Sequence, residues 1–476
     1  MPLPVSTTSP PVAAVILAAG KSTRMRSKLP KPLHPICGLP MTGHVIRACR
    51  LAGVERIVVV IGHEAEAVRA GLGEGIEYAL QETPKGTGDA VRSAQSLLAD
   101  WPGTIVVLAG DVPLLPAETL QHLIAHHHTT EAATTLITAF LDDPTGYGRI
   151  VRDEAGKVAR IVEHRDATEA ERAIKEWSTS LYAFQSSALW NSLAKVRPAN
   201  IQGEFYLTDT ISILKAQGSI VESVPANRSQ DVFGVNNRVE LAAVATELRA
   251  RLLKDLMLSG VTVTDPATTY VDTDVAVGQD TVIEPNTFLL NGTRIGEDCV
   301  IGPWTRIERS TLGNGVKVLA AQVVDSVLED EVKVGPFANL RAGTHLGSRV
   351  KIGDFVETKN AIFGEKAQAS HLAYIGDAEV GAGTNIGAGA ITCNYNGYTK
   401  SRTVIGKNAF IGSNTTLIAP IEIGEGAIVA AGSSVTQDVP ENALVIARCP
   451  QTVKEDWATQ FRKKQKAKLA NKEEPK

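Results

Sequence analysis

The feature that most constrains this chain is a six-residue rhythm in its second half. Val277, Ile283, Leu289, Ile295, Ile301 and Ile307 follow one another six positions apart. The rhythm resumes at Val334, Leu340, Leu346 and Ile352, and again at Ile405, Ile411, Ile423 and Val429. Glycine often follows the aliphatic residue, as at Gly278, Gly296, Gly302, Gly335, Gly347, Gly353, Gly406, Gly412 and Gly424. A period of this length predicts a hexapeptide β-helix, in which each short strand feeds a tight turn. A β-sandwich is the alternative, but its turns recur only every 8–12 residues or so, roughly. Aromatic residues make up 5% of the chain, which suits a narrow interior with room for aliphatics and little else.

The first half has a different grammar. Apolar runs VAAVILAA from Val12, RIVVVIG from Arg56 and TIVVLAG from Thr104 alternate with helix-like stretches at 42–52, 65–72 and 88–98. Continuous apolar strands separated by helices predict a mostly parallel sheet covered on both faces, with ligands beyond the carboxyl ends of its strands. From residue 238 to about 258, leucines and alanines spaced three and four apart predict one connecting helix after Asn236-Asn237. The expected division is 1–237, a linker helix 238–259, a β-helix 260–450 and a basic tail 451–476. The tail from Arg462 onward is mostly Lys, Glu, Gln and Ala and reads as a solvated segment.

A length of 476 residues allows two or three domains, and a net charge of −4 with interspersed signs argues against a dedicated nucleic-acid binder. Five scattered cysteines without a CxxC pair predict neither a disulfide framework nor a zinc site, and hence a reducing cytoplasm. The N-terminal apolar stretch is about nine residues long with no basic residue before it, so it reads as a buried strand rather than a signal peptide. No run approaches the length of a membrane span, and no membrane insertion is expected.

The run LAAGKSTRMRSKLPK, beginning at Leu17, carries the chemistry of the first half. The apolar strand stops at Gly20 and opens into a loop with Lys21, Arg24, Lys28 and Lys31. Amides released by glycine beside fixed positive charge are what a polyphosphate needs. Gly20-Lys21-Ser22 spells the end of a P-loop, but the position that needs the other glycine is Val15. Asp111, at the next strand end and close to Pro113, suits Mg²⁺, which takes few protein ligands and completes its shell with phosphates and water. A turn-forming aspartate is the alternative.

Residues 340–395 break the blandness of the repeat with Arg341, Glu357, Lys359, His371, Tyr374, Asn385, Asn394 and Tyr395. Only two histidines, His345 and His371, fall in the repeat region, so a three-histidine zinc site is excluded by counting. His371 reads as a general base or as a structural histidine. His122, His126, His127 and His128 sit near helical spacing; the reading preferred over a metal site is a surface helix end. Cys393 reads as a small packed thiol.

With LAAGKSTRM, QETPKGTGDA at Gln81, GDVP at Gly110, DPTGYGRI at Asp143, IVEH at Ile161, GEFYLTD at Gly203 and GVNNR at Gly234, the first half resembles the sugar-phosphate nucleotidyltransferases. With SHLAYIGDAEVG and NIGAGAITCNYNG in the second half, the whole chain from residue 12 to 457 resembles a bifunctional family. That family is the N-acetylglucosamine-1-phosphate uridyltransferase / glucosamine-1-phosphate acetyltransferase. The resemblance implies a Rossmann-like α/β nucleotidyltransferase domain with a mixed, mostly parallel sheet. A helix joins it to a left-handed parallel β-helix that assembles as a homotrimer. It implies Mg²⁺ on Asp111 and Asn236, and UTP and acetyl-CoA as co-substrates. Leu17, Gly20, Arg24 and Lys31 would hold the nucleotide, with Gln81, Gly86 and Thr87 at the uracil. Gly148, Glu163, Ser178 and Thr208 would line the acetamido sugar. Arg341, Lys359, Tyr374, Asn385 and Asn394 would hold glucosamine phosphate, with His371 as base. Ala388, Asn394, Tyr395, Ser413, Ala431 and Arg448 would meet acetyl-CoA, Ser413 stabilising the oxyanion. The tail, with Lys454, would reach a neighbouring subunit. Two departures stand out. Ala109 replaces a usual aromatic, and Ser178-Thr179-Ser180 replaces a usual Asn-x-Gly. They keep open an acetyltransferase whose first half is weakened or altered in specificity. A nucleotidyltransferase with a merely regulatory β-helix is the other alternative.

Overall fold

A computed structural model describes residues 10–470, apart from residue 22. Residues 1–9 of the expected first domain and 471–476 of the expected tail lie outside the described residues. The chain divides into two compact units, the first running to Asp255 and taking in Tyr270–Asp274, the second comprising the remainder.

The first unit is built on a sheet whose strands lie in the order Val221–Pro225, Thr134–Phe140, Glu176–Gln185, Thr104–Ala109, Val12–Leu17, Arg56–Ile61 and Glu77–Leu80. Glu176–Gln185 runs antiparallel to both neighbours; every other adjacent pair on this path is parallel. The hairpin Arg149–Arg152 / Val158–Val162 joins it at Trp177. Alternation along each strand feeds two separate cores. Ala13, Val15, Val58, Val60, Ile105, Val107, Tyr182 and Phe184 pack on one face. Ala14, Ile16, Val59, Ile61, Val106, Leu108, Leu181 and Ala183 pack on the other. Burial on both faces is why these strands read as unbroken apolar runs. The helical stretch expected at 88–98 is two pieces, Thr87–Ser93 and Gln95–Leu98, broken at Ala94.

Helix Arg238–Leu258 starts where the Asn237 side chain accepts from the amides of Val239 and Glu240. Val244, with Leu241, Ala245 and Leu248, packs on Ile36, Met41, Leu114 and Val235 of the first unit.

The second unit is a left-handed parallel β-helix. Strands pair in parallel with the next coil, three hexapeptides on, as in Phe288 with Arg306 and Asn339 with Glu357. Ile283, Leu289, Ile301, Ile307, Leu340, Leu346, Ile352, Ile411 and Val429 are fully enclosed, so the sixfold aliphatic positions fill the interior. The coil is longest where Asn385 pairs with Phe410, because a loop carrying the Tyr395–Lys400 bridge projects there. One corner of the coil repeats a left-handed residue at Trp304, Ala320, Phe337, Phe355, Leu372, Gly389, Asn414 and Gly432.

One reading is corrected and one is extended. The histidines close the helix Ala117–Thr129, with His122 exposed and His126 and His128 half-buried, but His127 does not belong to a surface end. His127 is 1% exposed, its Nδ1 3.1 Å from Thr135 Oγ1, and His128 Nε2 lies 2.8 Å from Thr104 Oγ1. The helix period explains it: His127 follows Leu120 and Leu123 on the buried face. The tail is solvated as expected, and it also contains a helix, Trp457–Ala470, every residue of it exposed. Its Ala, Lys, Gln and Leu are strong helix formers, which a reading based on solvation alone overlooked.

Candidate functional sites

In the first unit the charged loops meet beyond the carboxyl ends of the parallel strands. Gly110 donates to the carbonyl of Leu17 at 3.0 Å, which ties the loop after Val12–Leu17 to the one holding Asp111. Lys31 Nζ touches Asp111 Oδ2 and lies 3.2 Å from Asn236 Oδ1, to which Arg24 also donates at 2.9 Å. Three loops far apart in sequence thus form one contact. Gly234 keeps the spot open, because a Cβ there would come within 3.2 Å of Asp111 Oδ1. Gly20 is exposed beside them.

Two clefts share Arg24 and Gly146. The first, of about 430 Å³, is walled by Ala109, Asp111, Tyr147, Trp177, Ser178, Ser180 and Asn236. The second, of about 610 Å³, is walled by Thr87, Glu163, His164, Arg165 and Tyr206. Thr208 donates to Glu163 Oε1 at 3.0 Å, and a Cβ on Gly148 would stand 3.5 Å from Glu163 Oε2. Burial raises the Glu163 carboxyl above its ordinary range; Asp166, Asp209 and Glu204 add to this and the Thr208 hydroxyl opposes it. Gln81 ends the strand Glu77–Leu80, and Gly86 and Thr87 open the next helix. Gly86 has φ +108°, and a Cβ there would lie 2.6 Å from the Phe205 carbonyl, so this loop closes on the GEFYLTD segment only with glycine.

The two departures adjoin each other in the first cleft. Ser178 lies against Tyr182, their hydroxyls 3.0 Å apart and buried, so the serine hydroxyl is turned toward the sheet. Thr179 donates to Ile137 O at 2.7 Å, and Ser180 stands at φ +61° where the strand pairing shifts. The vacancy of side chain at Ala109 is faced by aromatics: Trp177 stacks on Phe233 at 5.7 Å and packs against Tyr147 at 4.3 Å.

In the second unit, Arg341, Lys359 and Tyr374 follow one another on stacked strands. Arg341 pairs with Glu357 at 2.6 Å, and Asn394 donates to Asp377 and reaches Tyr374 Oη at 3.5 Å. Lys400 joins them, a residue sequence reasoning missed; the Tyr395–Lys400 bridge folds it back from the projecting loop. Lys400, and then Arg341, lower the affinity of Lys359 for its proton, since three cations crowd one spot. Gly343, Asn360, Asp377, Lys400 and Arg402 line a cleft of about 420 Å³ there. Such a group can hold a phosphate.

His371 is exposed at the end of strand Gln368–His371, at the corner described above. Successive coils tie the expected residues together through backbone bonds. Gly389 donates to His371 O, Asn414 to Ala388 O at 2.7 Å, and Gly432 to Ser413 O at 2.8 Å. Arg448 Cδ is 3.9 Å from where a Gly432 Cβ would be, and Ala431 is exposed alongside. Asn385 is half-buried one strand over, and Tyr395 is exposed on the loop. Among the described residues no three His, Cys, Asp or Glu cluster as a metal site, and no helix is long and apolar enough to cross a membrane.

Residues 14–177 match the MobA-like NTP transferase domain, 274–309 the bacterial transferase hexapeptide of six repeats, and 402–437 the hexapeptide repeat of succinyl-transferase. "Bifunctional protein GlmU" of Brevibacillus brevis is 50% identical, over 96% of this chain and 99% of its own. Proteins of the same name are 49% identical in Geobacillus sp. (93% of this chain, 97% of theirs) and 46% identical in Acetivibrio thermocellus (93% and 96%).

Proposed function

Since the chain belongs to the bifunctional GlmU family, we propose that it makes UDP-N-acetylglucosamine in two steps, one in each unit. It acetylates glucosamine-1-phosphate with acetyl-CoA, then transfers UMP from UTP to N-acetylglucosamine-1-phosphate and releases pyrophosphate. The observation that carries this is the presence of two separate polar constellations, one at the sheet's strand ends and one along a β-helix corner.

In the uridylyl step the sugar phosphate is already anionic, so no general base is needed. Its oxygen attacks the α-phosphorus in line, and pyrophosphate departs with the bonding pair. Arg24 and Lys31 hold the nucleotide phosphates and offset their charge. Gly148, Glu163 and Thr208 hold the sugar, with Ser178 in the wall of the adjoining cleft, and Gln81, Gly86 and Thr87 hold the base. Asp111 and Asn236 would hold Mg²⁺. One carboxylate and one amide oxygen suit a hard cation that keeps water and phosphate in its shell, and the Lys31 ammonium against Asp111 already supplies positive charge there. Bound Mg²⁺ would add neutralising charge to the phosphates.

In the acetyl step Arg341, Lys359, Tyr374 and Lys400 grip the sugar phosphate, with Asn385 and Asn394 near the amine. His371 takes the proton that the amine loses as its nitrogen attacks the thioester carbon. Ser413 donates to the resulting oxyanion, and the thiolate of coenzyme A leaves. Ala388, Tyr395, Ala431 and Arg448 line the coenzyme. What supports this reading is the change of corner residue at His371. Trp304, Phe337, Phe355 and Leu372 are exposed bulky apolar groups, whereas the following coils carry Gly389, Asn414 and Gly432. The bulky stretch is a surface for the homotrimer, and the small one leaves room for a slender ligand.

Separate assays of the two half-reactions test the proposal. Pyrophosphate release from UTP with N-acetylglucosamine-1-phosphate and Mg²⁺, and thiol release from acetyl-CoA with glucosamine-1-phosphate, should both be seen. Absence of the first alone supports an acetyltransferase with an altered first half, for which Ser178 and Ser180 are the specific grounds.

A further inference from the structure

We infer that Asp89 sets the base preference of the nucleotide site by fixing which end of the Gln81 carboxamide is left to the ligand. This deepens the uridylyl-transfer reading and rests on it. Gln81 is 7% exposed, and its Nε2 makes two hydrogen bonds, to Asp89 Oδ2 at 2.9 Å and to the Gly86 carbonyl at 3.3 Å. An amide nitrogen has two hydrogens, so both are taken up inside the protein. The reversed amide would set its oxygen against a carboxylate and a carbonyl, three acceptors with no hydrogen among them. Both partners accept only, and the orientation follows from their chemistry. Oε1 is then the polar atom that Gln81 can offer a ligand; no described residue donates to it, and it is not among the sealed, partnerless atoms.

A fixed acceptor selects for a base with a hydrogen on the facing ring nitrogen. Uracil carries that hydrogen at N3, between two carbonyls. Cytosine has a bare lone pair at N3, which would meet the Oε1 lone pairs and leave both acceptors unpaired. The backbone holds the arrangement steady. Gln81 N donates to Ile61 O, Phe205 N to Lys85 O and Gly88 N to Phe205 O, all at 2.8 Å, so the segment between Gln81 and Asp89 is pinned at both ends of the loop. The discrimination therefore depends on a residue that need not touch the nucleotide. Asp89 is a positioning residue.

The test is the binding of UTP and of CTP, each with Mg²⁺, to the full chain and to Asp89→Asn. Asparagine keeps the size of the side chain but can present N–H to Gln81 Oε1, which lets the carboxamide turn over and offer its amino group to the base. The unaltered chain should bind UTP about tenfold or more tightly than CTP, as one mismatched polar contact requires. In Asp89→Asn that ratio should shrink by about tenfold, with CTP gaining as UTP loses. Acetyl transfer, which Asp89 does not serve, should be unchanged and reports that the second unit is intact; a chemical-denaturation midpoint of the first unit close to that of the unaltered chain reports that the unit holding Asp89 is folded. Asp89→Ala, which removes the acceptor altogether, should narrow the ratio likewise. An unchanged ratio in both variants, or no preference in the unaltered chain, overturns the inference. A chain that prefers UTP yet releases no pyrophosphate sinks the uridylyl-transfer reading and leaves the role of Asp89 standing.

Discussion

The two units assemble their polar sites in opposite ways. In the first, Arg24 and Lys31 of one loop meet Asp111 and Asn236 of two others and touch them through their side chains. In the second, His371, Ala388, Ser413 and Ala431 are carried on successive coils whose backbones are bonded one to the next. A sheet-end site depends on each loop holding its own shape. A corner site inherits its spacing from the repeat, and chemistry enters where the repeat is broken. Single changes should therefore have local consequences in the β-helix and shared ones at the sheet end.

The largest expected effect separates the two units outright. His371→Ala should lower acetyl transfer by about a hundredfold or more and leave uridylyl transfer intact. Asp111→Ala should do the reverse on a similar scale. Loss of both activities in either variant breaks the comparison. Next comes Gly86→Ala, which places a Cβ 2.6 Å from a carbonyl at φ +108°. It should cost about 2 kcal/mol of local strain, read as weaker UTP binding with acetyl transfer retained.

A comparable effect is expected with pH. Burial first, then His128 and His126, pushes His127 down to about 4. Neutral His127 carries no penalty above its unfolded value near 6.5. Between 6.5 and 4 the unfolded chain takes up a proton that the folded one refuses, so stability falls as pH falls across that window. The loss is about 3 kcal/mol, confined to the first unit, and His127→Phe should flatten it in chemical denaturation curves. The smallest effect is Ser180→Gly. Relief of the left-handed serine at φ +61° should raise stability by up to roughly 1 kcal/mol, seen as a higher Tm. A lower Tm would mean that the serine hydroxyl contributes more than the backbone strain costs.

The same contrast governs how much could be read in advance. The β-helix was legible because Ile301 or Leu340 reports its place by period alone, and the enclosed positions follow it. The strands Val12–Leu17, Arg56–Ile61 and Thr104–Ala109 were legible because both faces are covered and their runs are almost unbroken, whereas Thr134–Phe140 and Glu176–Gln185 were not, because Thr, Ser and Glu interrupt them. His127 was misread although the signal was present, since it continues the spacing of Leu120 and Leu123. Lys400 and Asp89 had no local signal. Each acquires its place through a fold-back, a bridge to Tyr395 in one case and a bond to Gln81 in the other. At the sheet end the resemblance named Asp111 and Asn236 together. Only the structure shows Lys31 between them, because that contact spans more than two hundred positions of sequence.

The corner from His371 through Ala388, Ser413 and Ala431 to Arg448 has one more property. Parallel strands advance by a fixed interval of about 4.8 Å, so four coil steps mark off roughly 19 Å along a straight line. The β-helix is in this sense a ruler. A ligand laid along it is measured, with the reactive end at one graduation and a guanidinium at another. Adding or removing a whole coil between them would keep every local contact and spoil the length.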